Sequence, residues 1–556
     1  MTKIQTKSSW KWVILWSLWA ARLVRQPTLP VLVSNGLIRG SIANDGSHKE
    51  YLGIPYATFE HRFQAPGPEP KWNETFEAVN ENIRCHQKIV STIVIGQVDC
   101  QVLNVYTPLN TSPDDKLPVM FFIHGGGYYQ GSGSKFLYGP EFLASKGVIL
   151  VTINYRLNIQ GFLCLGIKEA PGNAAMKDQV AALKWVQRNI KAFGGDPENV
   201  TIFGESAGGA SVSFHVISPM SKGLFSKAII QSGSSLSPWG LQYRPVYMAS
   251  LLARALGHHK VSEPYDIYNT FMNKSEAELV IARVPRKEGN LILSEVLYVP
   301  CVERKIDGVE PFLTALPYDI LGQGDFNKIP LMIGVNGEEG YLFAALENDT
   351  VIPKISFEKS LPKDLIIPST EEAKAIAEKL NNIYMGEDEI SQESLLKLSK
   401  YHGDVYFNNP SFIETELILR NTDKPVYNYL FNYDGWRNIP KFTLGKPFAF
   451  APGATHADEL FYLFSLCLIP PKLFEDQMIE RITTLWTNFA KYGNPTPGKS
   501  SELLPIKWTP TQQPNPHMLV LDTDISLRPL WHTDSVKYLR ELYTKYRRTQ
   551  HRDFRD

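Results

Sequence analysis

Val200-Thr201-Ile202-Phe203-Gly204-Glu205-Ser206-Ala207-Gly208-Gly209 reads as a strand, a sharp turn and the start of a helix. Val200 to Phe203 are β-branched or aromatic, which suits a buried strand. Ala207-Gly208-Gly209-Ala210-Ser211-Val212 opens a helix whose small residues let it lie close against a sheet. Between the two stands Gly204-Glu205-Ser206-Ala207-Gly208, a G-x-S-x-G pattern. So tight a turn strains its central residue, and glycines are needed two positions either side to keep the neighbouring backbone apart. Unpaired N–H groups at the helix start then favour negative charge developing beside the serine. Alone the pattern is weak, since at average residue usage a chain this long shows it by chance on the order of 0.2 times. Its weight depends on partners elsewhere.

A serine hydroxyl needs a base to take its proton, and the base needs a carboxylate to fix its tautomer. A carboxylate candidate follows the strand Ile329 to Val335, within Asn336-Gly337-Glu338-Glu339-Gly340. The base candidate is His456 in Gly453-Ala454-Thr455-His456-Ala457-Asp458-Glu459-Leu460. Serine, then acid, then histidine is one of the chain orders in which a nucleophile elbow finds its partners. Pro452-Gly453 marks a turn at the sheet's carboxyl edge, where α/β sites assemble. The plainer alternative is that His456 is one structural histidine among twelve. Leu117 to His124 is a continuous apolar strand running into Gly125-Gly126-Gly127. An oxyanion needs N–H donors already aimed at it, and backbone supplies them where side chains are absent. Gly126, Gly127 and Ala207 are the expected donors. A phosphate loop is not indicated, because no Lys-Ser/Thr pair follows the glycines.

The 556 residues, 43% of them hydrophobic, can bury a large core, and no linker or repeat divides them. Lys and Arg number 57 against 57 Asp and Glu, so a nucleic-acid partner is disfavoured and a neutral or apolar ligand is the default. Lys3, Lys7 and Lys11 precede the apolar run Trp12 to Ala21, too short to span a bilayer but suited to a secretory signal over residues 1–24. Nothing further reads as transmembrane, and the C-terminal residues match no retention or lipid-anchor signal. A secreted, extracellular protein without a membrane anchor is expected. Of five cysteines, Cys85 and Cys100 are the expected pair, closing a loop whose crosslink is worth about 3 kcal/mol in the chain-entropy model. Cys164, Cys301 and Cys467 stand in apolar surroundings and read as small buried hydrophobes. Asn73, Asn110, Asn273 and Asn348 are glycosylation candidates, whereas the sequon at Asn199 abuts the core strand.

Strands are predicted at Val31 to Val33 paired with Gly36 to Gly40, and at Leu103 to Tyr106, Val148 to Asn154, Lys227 to Gln231, Pro330 to Val335 and Pro425 to Phe431. Helices are predicted near Lys177 to Phe193, over Asn382 to Phe407 and Leu473 to Tyr492, and at the C-terminal stretch Ser535 to Tyr546. The alternation points to an α/β fold with a parallel centre. Val536, Leu539, Leu542 and Tyr543 give the last helix an apolar face that packs on its own domain or on a second copy.

These motifs, with Asp178 to Ile190, Phe193-Gly194-Gly195-Asp196-Pro197 and Gln231-Ser232-Gly233, resemble the type-B carboxylesterase family, the carboxylesterase/cholinesterase group. The resemblance runs from about Val31 to the 530s and is nearest to secreted insect carboxylesterases. It implies one α/β-hydrolase domain over residues 25–556, with a mixed, mostly parallel sheet, helices on both faces and an active-site gorge. By it the triad is Ser206, Glu339 and His456, the oxyanion hole is Gly126, Gly127 and Ala207, Glu205 and Ser232 are supporting polar groups, and Cys85 pairs with Cys100. The short Cys85–Cys100 loop lacks the tryptophan with which cholinesterases meet a quaternary ammonium. The family's second disulfide has no counterpart near Ala255 to His259, and Val98 stands where Arg62 would find a glutamate. Juvenile hormone esterases usually carry Gln where this chain has Glu205. Asp458 and Glu459 read as charges that cap or solvate a helix start.

The expected activity is cleavage of uncharged carboxylic esters, small molecules, through an acyl-enzyme, with no metal or organic cofactor implied. The competing expectations are a silent neuroligin-like adhesion or ligand-binding member, a stoichiometric ester scavenger and, among enzymes, a juvenile hormone esterase.

Overall fold

The computed structural model describes residues 26–549 apart from 90–91, 262, 295 and 467–473. The signal segment expected over 1–24 and Cys467 lie outside the described residues. The main sheet takes its strands in chain order as β1 (Gln26–Pro27), β2 (Ser41–Ile42), β3 (His48–Pro55), β4 (Val102–Pro108), β5 (Leu117–Ile123), β6 (Ile149–Ile153), β7 (Gly195–Glu205), β8 (Lys227–Gln231), β9 (Leu331–Asn336), β10 (Val426–Phe431), β11 (His517–Leu521) and β12 (Ser526–Pro529). Their spatial order is β1-β2-β3-β4-β6-β5-β7-β8-β9-β10-β11-β12. From β6 to β11 the pairing is parallel, and the strands outside that block are antiparallel. The predicted α/β architecture with a mostly parallel centre is therefore the one observed.

The central strands are apolar throughout because both faces are covered. In β5, Val119, Phe121 and Ile123 join one core with Trp185 and Phe214, while Met120 and Phe122 join a second with Trp486 and Leu485. This is the period-two alternation of a strand, read out as two cores. Helices Ala174–Asn189 and Ala207–Ile217 cover the first face and Asp476–Tyr492 the second. Each large side chain so buried contributes about 1.5–3 kcal/mol. Phe122 lies 4.6–5.0 Å, ring to ring, from Tyr138, Phe464 and Phe203.

Register places the site. Ile123 of β5 pairs with Gly204 of β7, Glu205 with Gln231 of β8, Gln231 with Gly334 of β9, and Asn336 with Phe431 of β10. The carboxyl ends of five neighbouring strands thus reach one edge together, and the loops that leave them meet.

Most predicted elements fall where expected, including the hairpin Val31–Val33 with Gly36–Arg39 and the C-terminal helix Asp534–Tyr546, whose Val536, Leu539, Leu542 and Tyr543 are buried against the chain's own body. The helix predicted over Asn382 to Phe407 is instead two, Thr370–Tyr384 and Leu395–Gly403, followed by a π-turn Asp404–Asn408. Its start is set by Ser369, whose hydroxyl accepts from Glu372 N, and Gly386 at φ +66° interrupts it.

The cysteine reading needs correction. Cys85–Cys100 forms as expected, but Cys164 and Cys301 also join, across 137 residues. They are indeed buried in apolar surroundings, and the sequence offers no sign of a partner so distant. Asn173 clamps Cys301 on both backbone groups, and a side chain on Gly172 would lie within 2.8 Å of both sulfurs. Arg62 also finds a carboxylate after all, Glu276 at 2.7 Å rather than a residue beside Cys100. The side chains of Asn73, Asn110, Asn273 and Asn348 are exposed, while Asn199 Oδ1 accepts from Lys227 Nζ at 2.5 Å.

Replacing Cys164 and Cys301 together by Ala is expected to lower unfolding stability by about 2–5 kcal/mol. Urea denaturation with the Cys85–Cys100 bridge intact measures this, and non-reducing peptide mapping of the wild type must recover the Cys164–Cys301 crosslinked peptide.

Candidate active site

Ser206 sits at φ +59°, ψ −123°, between the end of β7 and the helix Ala207–Ile217. A left-handed serine is strained, and neighbours must hold it there. Its N–H donates to Gln231 O at 2.9 Å and its carbonyl accepts from Ala210 N at 2.8 Å. A Cβ on Gly208 would stand 2.0 Å from Ile123 O, so the helix can approach β5 only because that position is bare. Ser206 is partly exposed while Glu205 and Ala207 are buried.

The triglycine loop leaves the neighbouring strand. Gly126 has φ +98° and a Cβ there would lie 2.1 Å from Gln130 O. Gly126 and Gly127 are, like Ser206, partly exposed. His124 ahead of them is buried, stacks on Tyr155 at 4.4 Å, and Nδ1 contacts Gly125 O at 2.8 Å. Burial pushes its pKa down to about 4. It is a neutral prop for the loop.

His456 Nδ1 lies 2.5 Å from Glu339 Oε2. Glu339 Oε1 in turn accepts from Ser232 Oγ at 2.5 Å and from Asn336 N at 2.6 Å. Of the two glutamates after β9, Glu339 therefore faces the histidine, while Glu338 pairs with Lys400. The imidazole's other nitrogen, Nε2, is 3.1 Å from Glu205 Oε1, beside Ser206. Phe407 and Phe343 pack on the ring at centroid distances of 4.6 and 5.1 Å. Burial opposes a charge on His456, yet Glu205 and Glu339 outweigh it and raise its pKa. Burial raises the Glu205 carboxyl strongly, against the pull of His456.

Asp458 and Glu459 depart from the sequence reading. Neither is solvated; both are fully buried. Glu459 accepts from Gln231 Nε2 at 3.0 Å and from Asn336 Nδ2 at 2.6 Å, bracing β8 and β9 beneath the triad candidates. Asp458 accepts from Thr455 N and Lys441 N, which fixes the loop carrying His456. Burial pushes Glu459 up to about 7 and Asp458 well above the usual carboxylate range. Nothing in a single sequence separates these two acids from surface charges, since their burial depends on strands far away in the chain. Among the described residues no group of His, Cys, Asp and Glu is arranged to hold a metal ion.

A strained serine at a strand-to-helix turn, preceded by a glutamate 3.1 Å from a carboxylate-held histidine on a mostly parallel sheet, fits an α/β-hydrolase. The chain belongs to the carboxylesterase family, whose model matches residues 27–538, and it is a carboxylic ester hydrolase. It is 35% identical over 505 residues to a juvenile hormone esterase of Tribolium castaneum, covering 85% of each chain. With esterase FE4 of Myzus persicae it shares 34% over 506 residues, 87% of this chain and 88% of that one. Among solved structures it resembles the juvenile hormone esterase of Manduca sexta with OTFP covalently attached, at TM-score 0.80 and 28% identity, over 93% of this chain and 98% of that one.

Glu205→Gln keeps the shape and removes one of the carboxylates that raise His456, so the histidine's pKa falls. The acid limb of the kcat/KM profile is expected to move to lower pH. Parallel pH–rate measurements on wild type and variant check this, and a limb that stays or moves upward contradicts the assignment.

Proposed function

We propose that the chain is a secreted serine esterase that cleaves uncharged carboxylic esters through an acyl-enzyme. Ser206 Oγ attacks the ester carbonyl while His456 takes its proton. Glu339 fixes the imidazole tautomer and balances its charge. The N–H groups of Gly126, Gly127 and Ala207 receive the oxyanion. His456 then protonates the departing alcohol, and a water activated by the same imidazole releases the acid and frees Ser206. The observation that carries the reading is the 2.5 Å contact between His456 Nδ1 and Glu339 Oε2, made by two loops 117 residues apart, with the other imidazole nitrogen 3.1 Å from Glu205, the residue before Ser206.

Secretion is supported by two disulfides, which persist in oxidising compartments, and by the basic-then-apolar start of the sequence. No described helix is long and apolar enough to cross a membrane. A juvenile hormone ester as substrate is the second reading, favoured by the two juvenile hormone esterases among the similar proteins. Glu205 speaks for the general esterase, because juvenile hormone esterases usually carry Gln at that position.

Purified enzyme and Ser206→Ala are to be compared on nitrophenyl esters from acetate to long acyl chains and on a juvenile hormone. Sustained turnover that disappears in the variant is expected. One stoichiometric burst followed by silence would support a scavenger instead, and folded wild type with no burst would revive a binding module.

A further inference from the structure

Ser211 lies one helical turn beyond the elbow, with its side chain fully buried. Its hydroxyl has a single proton, and the nearest acceptor is Ala207 O at 2.8 Å. The same oxygen accepts from Gln179 Nε2 at 3.3 Å, and Tyr128 Oη, 3.4 Å away, is a second acceptor within reach of that one proton. Ala207 and Tyr128 belong to the two separate arms from which the oxyanion donors come. Ala207 opens the helix, and Tyr128 directly follows Gly126-Gly127.

The loop arm has a reason to need such a tether. Gly127 and Tyr128 are consecutive left-handed residues, at φ +62° and +65°. A bulky side chain in that region is strained and persists only where its surroundings over-determine it. Tyr128 is fully buried against Phe162, its carbonyl accepts from Asn158 N at 2.8 Å, and its phenol reaches Ser211. The far end of the chain of bonds is equally closed. Gln179 Oε1 meets His215 Nε2 at 2.8 Å, and His215 Nδ1 meets Ser221 Oγ at 2.7 Å. Burial holds the His215 pKa down at about 3, so the ring stays neutral, and because Gln179 Oε1 can only accept, the ring proton sits on Nε2 and Nδ1 accepts from Ser221. That arrangement is consistent with Gln179 Nε2–H directed at Ser211.

We propose that Ser211 is a positioning residue that locks the two arms of the oxyanion hole to one another, through Ala207 on one side and Tyr128 on the other. It touches no substrate. It keeps the backbone donors of Gly126, Gly127 and Ala207 at one mutual spacing, which matters because such donors act only if already aimed when charge develops. A serine bonding to the carbonyl four residues back is common in helices and by itself would be local. Here the same oxygen also faces the loop of a different strand, which a local role does not require. The inference rests on the oxyanion assignment made above.

The test is Ser211→Ala and Tyr128→Phe, singly and together, measured on a nitrophenyl ester, on a trifluoromethyl ketone that adds Ser206 to form an oxyanion, and on an unreactive ether of the same shape. Ser211→Ala is expected to lower kcat about tenfold, a fraction of the 10²–10³ lost when a donor is removed outright. KM and ether affinity stay near wild type, and ketone affinity falls with kcat. Tyr128→Phe loses less, and the double variant loses no more than Ser211→Ala alone. Equal losses of ketone and ether affinity, additive losses, or unchanged kcat and ketone affinity would each overturn the proposal. Should Ser211→Ala not fold, Tyr128→Phe alone is judged on the same split between ketone and ether. Wild type that binds the ketone no better than Ser206→Ala would sink the oxyanion assignment itself, and this inference with it.

Discussion

No side chain fits between the start of the helix at Ala207 and the end of β5. A Cβ on Gly208 would meet Ile123 O at 2.0 Å and one on Gly204 would meet the same oxygen at 2.6 Å. Because both positions are bare, the helix sits directly on the strand ends, and the serine between them is driven to φ +59°. The closeness also sets the register of β5 and β7, and with it which loops can reach the serine. Strain of this kind is sustainable only inside a rigid support. Here the support is a parallel sheet buried on both faces.

The second constraint is charge. Glu205, Glu339, Asp458 and Glu459 lie fully or almost fully buried around one imidazole. Several like charges in so small a dry volume are unsustainable, and burial raises the pKa of Glu205, Asp458 and Glu459. The three other than Glu205 also have dedicated hydrogen-bond partners. Ser232 and Asn336 serve Glu339, Gln231 and Asn336 serve Glu459, and Thr455 and Lys441 serve Asp458. Asn336 joins two of these sets, donating from its backbone to one acid and from its side chain to another. The histidine's field is thus built by four strand ends, and it belongs to no single motif.

The parallel centre was legible because buried strands such as Leu117 to Ile123 are apolar without interruption and turn signals bound them. Ser206, the triglycine and His456 stood out as candidates because the proposed chemistry demands particular small residues at particular offsets around them. Choosing Glu339 over Glu338 rested on family likeness, and side-chain direction explains why spacing alone could not do it: the adjacent glutamate points to Lys400. What stayed hidden depends on contacts between distant segments. Cys164 meets Cys301, Arg62 meets Glu276, and Ser211 meets Tyr128 only once the sheet exists. The break near Gly386 was missed for a different reason, since the polar and apolar mixture on either side of it reads as one helix in the sequence although residues 385–394 are not helical.

The Cys164–Cys301 bridge encloses the whole stretch that carries Glu205, Ser206, Ala207 and Ser232, yet excludes the triglycine, Glu339 and His456. Within it, His258, His259 and Lys260 form an exposed run after a helix end. A protease cutting there would open the polypeptide without dividing the molecule, because the sulfur bridge still links the two pieces. Such a nicked form would migrate as one species until reduced and would keep the piece that carries Ser206 tethered to the piece that carries His456.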